Sequence, residues 1–455
     1  MNRNRRRYEV ALASLAGVLL ILGTCGSAVA KAPGTTEVNV THGNGGGEPE
    51  IGLDPVHHTM VLAYTTHDSK CGLEVSGDNG QSWQSTPFPA DPGPTPGVPY
   101  HNCSDPAVAV GPDGAIYVAG GWWDQPTGPA DYYNIYVSRS SDGGQTWSAP
   151  AFATGDKDAV DVLALGRNTG HSDRAFMTVD NSTGTVYVSA ADLPRNQRWV
   201  VASHDQATTF GKPQAIDSAD YPEAGGEPLG DYIPSSANGV LAISYVAGPA
   251  STGSACPCNV FETSTDDGVS WTRRSTPVAA NWTAADPAHP GHFAILSGAG
   301  LSASTSNPDY LVISTTFDYG KTWSTPQLVG QTPANQRYQP WINFSPKGVL
   351  GVGYKTVYGT SVNNDTYDYW SALSCDGGLS FSSPVRISGN VSGAEPAGGD
   401  DFSFVALDNN HLYAGWGDMR TSPTDPTPAS RSVFFGSVPV TTYANQSGSP
   451  MSCPR

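Results

Sequence analysis

The stretch Ser140-Ser141-Asp142-Gly143-Gly144-Gln145-Thr146-Trp147 decides the fold, because the chain repeats it. The same pattern stands at Ser76-Gly77-Asp78-Asn79-Gly80-Gln81-Ser82-Trp83. A degenerate copy runs Ser203-His204-Asp205-Gln206-Ala207-Thr208-Thr209-Phe210. Three more follow, Ser264 to Trp271 around Asp266, Thr316 to Trp323 around Asp318, and Ser374 to Phe381 around Asp376. Recurrence at roughly fifty to sixty-five residues marks a repeat architecture. Each residue type has a physical use in a tight turn. Ser and Asp side chains bond turn backbone that has lost its ladder partners. Gly takes the positive φ such turns demand. The closing Trp or Phe anchors the hairpin in apolar surroundings. These aspartates are therefore expected to clip strands together and not to catalyse.

Strand signals lie between the clips. Second strands with period-two alternation are read at Ala115–Ala119, Thr185–Ser189 and His411–Trp416. First strands open on a polar or acidic residue at Glu48, Asp105, Asp173, Asp231 and Asp401. His292-Phe293-Ala294-Ile295 and Tyr338-Gln339-Pro340-Trp341-Ile342 fill the fifth and sixth places. The seventh repeat carries a third strand at Ser432–Gly436 and no clip. Four strands per repeat and radial repetition give an all-β fold, a single β-propeller of seven four-stranded blades. Six blades is the alternative, because the fifth repeat is compressed. Ring closure is expected to pair a strand near Glu37–Val40 with strands near Val438–Val440.

The ends and the composition bound the compartment. Arg3, Arg5, Arg6 and Arg7 precede an apolar run from Val10 to Leu22 and a small-residue site ending at Ala30. That layout predicts a secretory signal peptide over 1–30 and a secreted protein. The run is too short for a membrane span. Lipoprotein anchoring at Cys25 is the minor alternative. An N-terminal segment (31–44), the propeller (45–443) and a C-terminal tail (444–455) follow. Formal net charge is −18. Four arginines and one glutamate leave with the leader, so the mature chain is more acidic still. This argues against a nucleic-acid partner, which needs clustered cations. Six cysteines follow residue 30, an even number that favours disulfides outside the cytoplasm. Cys71 with Cys103 would staple neighbouring repeats, and Cys375 with Cys453 would tie down the tail. Cys256 and Cys258 are left, with other pairings open.

The clips resemble the Asp-box, or BNR repeat, of the sialidase superfamily, over about residues 45 to 437. The phrases around Tyr338-Gln339-Pro340-Trp341 and Trp416-Gly417-Asp418-Met419-Arg420 are similar to those of sialidase-like bacterial proteins. The resemblance implies a β-propeller, and for catalytic members a three-arginine clamp, a tyrosine nucleophile and an acid/base aspartate. Arg174, Arg337 and Arg420 are the candidate clamp, and Tyr338 or Tyr232 the candidate nucleophile. The F/Y-R-I-P motif of catalytic sialidases is absent, and residues 31 to 75 contain no Arg.

In a propeller the first strands line the central channel. Glu48, Glu50, Asp105, Asp173, Asp231, Asp400 and Asp401 are thus expected to converge on one rim. Clustered carboxylates raise one another's pKa, as a glycosidase acid requires. Asp105, Asp173, Asp231, Asp401 and Tyr338 are the candidate catalytic residues. Arg174, Arg337, Arg420, Tyr232, Trp341 and Trp416 are the candidate substrate contacts, with Trp122 and Trp123 as further rim aromatics. No metal site is assigned. A carboxylate ring could hold Ca²⁺, and His101, His171 and His292 stand at positions read as equivalent. The reading is a glycan-directed secreted propeller and monomer, acting on or recognising extracellular polysaccharide. Non-catalytic carbohydrate or protein binding is the alternative, and exo-sialidase chemistry is disfavoured.

Overall fold

The computed structural model describes residues 31–42, 45–93, 100, 102–124, 132–154, 172–192, 197–216, 233–248, 258–280, 282–297, 311–330, 336–359, 365–394, 402–420 and 430–454. The expected signal peptide, Cys25 included, falls outside these residues. The strands form seven four-stranded antiparallel sheets, and in six of them the strands follow in sequential order from the inside outwards. The innermost strands of blades 1 to 7 are Gly47–Asp54, Asn102–Val110, Ser172–Val179, Ser235–Ala237, Trp282–Ala285, Gln336–Phe344 and Phe404–Leu407. A short 3₁₀ turn stands at Val440–Thr442.

Blade 7 closes the ring. It takes its three inner strands from the C-terminal part of the chain and its outermost strand, Thr36–Asn39, from the N-terminal end. That strand pairs Thr36 with Ser437 and Asn39 with Phe434, so closure falls a few residues before the expected Val438–Val440. Part of the expected N-terminal segment, Thr36–Asn39, is thus woven into the propeller.

The fifth repeat differs from the expectation. His292–Ile295 does not begin a first strand. Phe293–Ser297 is the second strand of blade 5, and Trp282–Ala285 is its first. A four-residue strand with little alternation is hard to see in sequence, which is why the repeat looked compressed.

Both faces of every blade are covered by neighbours, so the middle strands are apolar without alternation. Thr59–Thr65 and Leu350–Val357 are buried almost throughout. Val61, Ala63 and Leu73 of blade 1 meet Val108, Ile116 and Val118 of blade 2. Tyr187 and Val200 of blade 3 meet Leu241, Ile243 and Tyr245 of blade 4 in the same way.

The six clips share one geometry, in the hairpin between the third and fourth strands. In blade 2 the Ser140 hydroxyl donates to Asp142 Oδ1 at 2.8 Å and accepts from the Gly144 amide at 2.9 Å. Asp142 Oδ1 accepts from the Thr146 amide at 2.9 Å, and Oδ2 from the Thr146 hydroxyl at 2.5 Å. The same contacts recur around Asp78, Asp205, Asp266, Asp318 and Asp376. Hydrogen bonds to an ionised carboxylate favour the charged form. The hydroxyl four residues on holds Asp78, Asp142 and Asp205 down at about 2, and for Asp318 the Thr322 amide leads. Two successive residues in each clip have positive φ, as at Asn79 (60°) and Gly80 (78°). In the degenerate clip these are Gln206 (60°) and Ala207 (59°).

Two disulfides fasten the ring. Cys71–Cys103 joins the third strand of blade 1 to the first of blade 2. Cys375–Cys453 ties the tail to the clip of blade 6. Cys256 lies outside the described residues, as does the side chain of Cys258.

Candidate functional site at the channel mouth

Antiparallel order puts the clips and the turns between first and second strands on one face of the ring. The starts of the innermost strands open on the other face, here called the mouth. At the mouth, the innermost strands of blades 1, 2, 3 and 6 carry the same irregularity. Register shifts between Gly47 and Glu50, Ser104 and Ala107, Asp173 and Phe176, and Tyr338 and Trp341. In each bulge one non-glycine residue takes a positive φ: Glu48 (55°), Asp105 (45°), Arg174 (56°) and Gln339 (47°). Bulges of this kind re-aim side chains and cluster beside functional sites. Left-handed backbone at a non-glycine residue costs roughly 1–3 kcal/mol, so it persists only where its surroundings hold it.

The surroundings that hold it are visible. Innermost strands have no ladder partner on the channel side, and their free amides and carbonyls need partners. Side chains of the same or the neighbouring blade supply them. The Thr65 hydroxyl donates to Glu48 Oε2 at 2.8 Å and accepts from the Asp105 amide at 3.1 Å, linking two bulges. Glu50 Oε2 accepts from the Val108 amide at 2.8 Å. Ser235 Oγ accepts from the Ala285 amide at 2.7 Å. The Ser403 hydroxyl donates to the Gln339 carbonyl at 2.5 Å.

The channel below the mouth is stoppered by aromatic rings. Phe176 meets Phe402 edge-on at 5.3 Å and Trp341 at 6.0 Å, and Trp341 meets Phe404 at 4.6 Å. Around this plug a cavity of about 70 Å³ is lined by Glu50, Phe176, Thr178, Ser235, Thr283 and Trp341, among others. Burial pushes the Glu50 carboxyl up to about 8, against the opposing pull of the Val108 amide. Glu50 is therefore a neutral acid at neutral pH, a proton donor in a space that fits water and not a sugar ring. Chemistry on a glycan would have to take place above the plug.

The expected site residues fall into three groups. Asp105 and Arg174 stand half-buried at the mouth bulges, with the Arg174 guanidinium 5.2 Å over the Phe402 ring. Asp231, Tyr232, Asp400, Asp401, His101 and His171 lie outside the described residues, as do the side chains of Asp173, Arg337 and Tyr338. The third group sits elsewhere than expected. Trp416 is fully buried in blade 7, stacked on Tyr369 at 4.9 Å and donating to Asp418 Oδ2 at 2.9 Å. Trp341 belongs to the plug and Trp122 packs against Tyr100 and Phe88, so none of these three offers an open face. Arg420 bonds Glu37 at 2.7 Å and Asp418 at 2.6 Å and covers the Phe434 ring, tying the closing strand to blade 7. These two carboxylates raise its pKa against the opposing effect of burial, which is the largest single influence.

Glu50 was legible as a channel acid but not as a buried one. A second group was not foreseen. Asp286, His289 and His292 gather on the clip face, their ligand atoms within 4.8 Å of one another. His292 therefore faces away from the mouth, in the turn between the first two strands of blade 5. The signal was the spacing Asp286-Pro287-Ala288-His289-Pro290-Gly291-His292.

No family model and no curated protein matches the chain. Solved structures similar to it include a protein of unknown function from Dyadobacter fermentans, 14% identical, covering 89% of this chain and 99% of that one at a TM-score of 0.48. A Hadza microbial sialidase is 16% identical over 70% of this chain and 66% of its own, at 0.45. A Trypanosoma rangeli sialidase mutant displaying trans-sialidase activity is 12% identical at 0.48. The match covers 90% of this chain and 59% of the trypanosomal one. Likenesses this distant carry nothing about chemistry, and the fold rests on the seven sheets themselves.

Proposed function

We propose that the protein is a secreted, sialidase-like propeller that recognises or acts on extracellular glycans at the bulged mouth. The observation that supports this is the recurrence of one bulge in four innermost strands, with Asp105 and Arg174 each standing at such a bulge. The clips' resemblance to the Asp-box supports the family reading. The two disulfides suit an oxidising compartment. Among the described residues no helix is long and apolar enough to cross a membrane.

In this reading Asp105, Asp173, Asp231 and Asp401 supply the acid/base groups, Tyr338 the nucleophile, and Arg174, Arg337 and Tyr232 the substrate contacts. The commitment of Arg420 to Glu37 and Asp418 leaves the three-arginine clamp incomplete. That observation favours glycan binding, or hydrolysis of another glycoside, over exo-sialidase chemistry. The test is a glycan panel, sialosides included, read both for binding and for released product. Asp105→Asn and Arg174→Gln are expected to lose the signal while keeping the parent's unfolding midpoint. Failure to bind or cleave any glycan, or full retention in both variants, would refute the proposal.

A further inference from the structure

The turn between the first and second strands of blade 5 holds more side-chain chemistry than a turn requires. Asp286 Oδ1 already does the turn's work, accepting from the Ala288 amide at 2.7 Å. Asp286 Oδ2 is left, and two imidazoles aim at it: His289 Nδ1 at 2.8 Å and His292 Nδ1 at 2.7 Å. Blade 1 provides an internal comparison. There Asp54 Oδ1 accepts from the Val56 and His57 amides, and Oδ2 meets a single imidazole, His57 Nδ1 at 2.6 Å. Blade 5 adds the second histidine.

The far side of His292 fixes which nitrogen carries hydrogen. Nε2 lies 3.0 Å from the Gly377 carbonyl, which can only accept. It also lies 2.8 Å from the Thr315 hydroxyl, whose own hydrogen goes to the Phe293 carbonyl at 2.9 Å. Nε2 is therefore the donor, and Nδ1 looks straight at a carboxylate oxygen. A proton or a metal ion must lie between them. A backbone carbonyl holding the remote N–H is also how proteins orient a metal-binding histidine.

From this geometry we propose that Asp286 Oδ2, His289 Nδ1 and His292 Nδ1 form a binding site for one divalent transition-metal ion of the Zn²⁺ class. Two imidazoles and one carboxylate are a borderline-soft donor set that suits Zn²⁺ and leaves a fourth position open. Gly348 stands over the group at φ +81°, where a Cβ would come within 2.9 Å of Asp286 Oδ2 and 3.0 Å of His289 Nδ1. All three side chains line a cavity of about 440 Å³, together with Phe317, Cys375 and Gly377. The His289 side chain is 62% exposed and can adjust to the ion, while Asp286 and His292 are buried and preset. The site lies on the clip face, so it is independent of glycan recognition at the mouth.

The experiment uses the tag-free mature chain, loaded with ZnCl₂, passed over a desalting column and analysed for metal, with calorimetric titration of ZnCl₂ alongside. One Zn²⁺ per chain is expected. His289→Ala, chosen because its exposure spares the fold, should weaken binding by about tenfold or more, since even outer partners of a metal ligand are worth that much. His57→Ala, in the single-imidazole copy, should bind as the parent does. No Zn²⁺ retained by the parent, or equal affinity in parent and His289→Ala, would overturn the proposal.

Discussion

Gly80 and Ala207 occupy the same position in two clips, and their exchange should give unequal results. Gly80 sits at φ +78°, and a Cβ built there meets the Phe435 ring at 2.1 Å and 2.4 Å. Phe435 belongs to blade 7 and cannot easily yield, being edge-on to Trp83 at 5.0 Å and stacked near Tyr413 at 6.0 Å. Gly80→Ala thus combines left-handed strain of roughly 1–2 kcal/mol with overpacking of about 1–3 kcal/mol. The sum is a loss of about 2–5 kcal/mol, on the same principles. Ala207→Gly should be nearly neutral. It relieves the strain at φ 59°, but it removes a buried methyl worth about 0.8 kcal/mol and loosens the unfolded chain by about 0.5–1 kcal/mol. Urea unfolding followed by tryptophan fluorescence reads both. A second arm adds Phe435→Leu, which opens room for the methyl. The double variant should recover about 1 kcal/mol or more of coupling, as contacting residues do. Equal effects at the two positions, or additive behaviour of Gly80→Ala with Phe435→Leu, would show that the clips do not lean on the preceding blade as described.

Glu50 makes stability depend on pH. Its folded pKa of about 8 lies above the unfolded value of 4.5, so the folded chain keeps a proton that the unfolded chain releases. Stability should fall as pH rises between those values, and Glu50→Gln should flatten the fall in urea midpoints; parallel profiles would sink the assignment. The clip aspartates act in the opposite sense. With folded pKa values of about 2 against 3.8, they stabilise fully above that range and lose the contribution as pH falls through it. Asp142→Asn should weaken the protein at pH 7 by a margin that closes toward pH 2, measured by thermal melts; a constant margin would argue against it. Opening the Cys375–Cys453 loop, 78 residues apart, with Cys453→Ser should cost about 2–4 kcal/mol, and an unchanged denaturation midpoint would be incompatible with the tie.

The fold was written in local chemistry, and so it could be read. A clip needs Ser, Asp and Gly at fixed offsets because its bonds span only four residues, as from Ser76 to Gly80. The candidate site was less legible because its geometry is made between blades. Nothing near Glu50 in sequence tells that its carboxyl meets the Val108 amide 58 positions away. Trp416 and Arg420 read as an exposed pair, yet Asp418 between them takes a bond from each and draws both inward. The bulge at Asp105-Pro106 was visible only as a strand opening on an acid. The short first strand of blade 5 shifted His292 by one strand, and with it from one face of the ring to the other.

The closing strand has a consequence for the order in which the chain can be finished. Asn39 and Ser432 come together in blade 7 across 393 residues, so the closing strand is made long before its partner. Until the ribosome has delivered Ser432–Pro439, Thr36–Asn39 must wait without a ladder. Contacts so remote along the chain form slowly, and a waiting strand edge invites wrong partners. Thr-Glu-Val-Asn is a composition fit for that wait: one apolar residue in four and a charge, with every position only half-buried once docked. A greasier strand would bind the finished ring more tightly, and would expose every nascent chain to aggregation before there was a ring to bind.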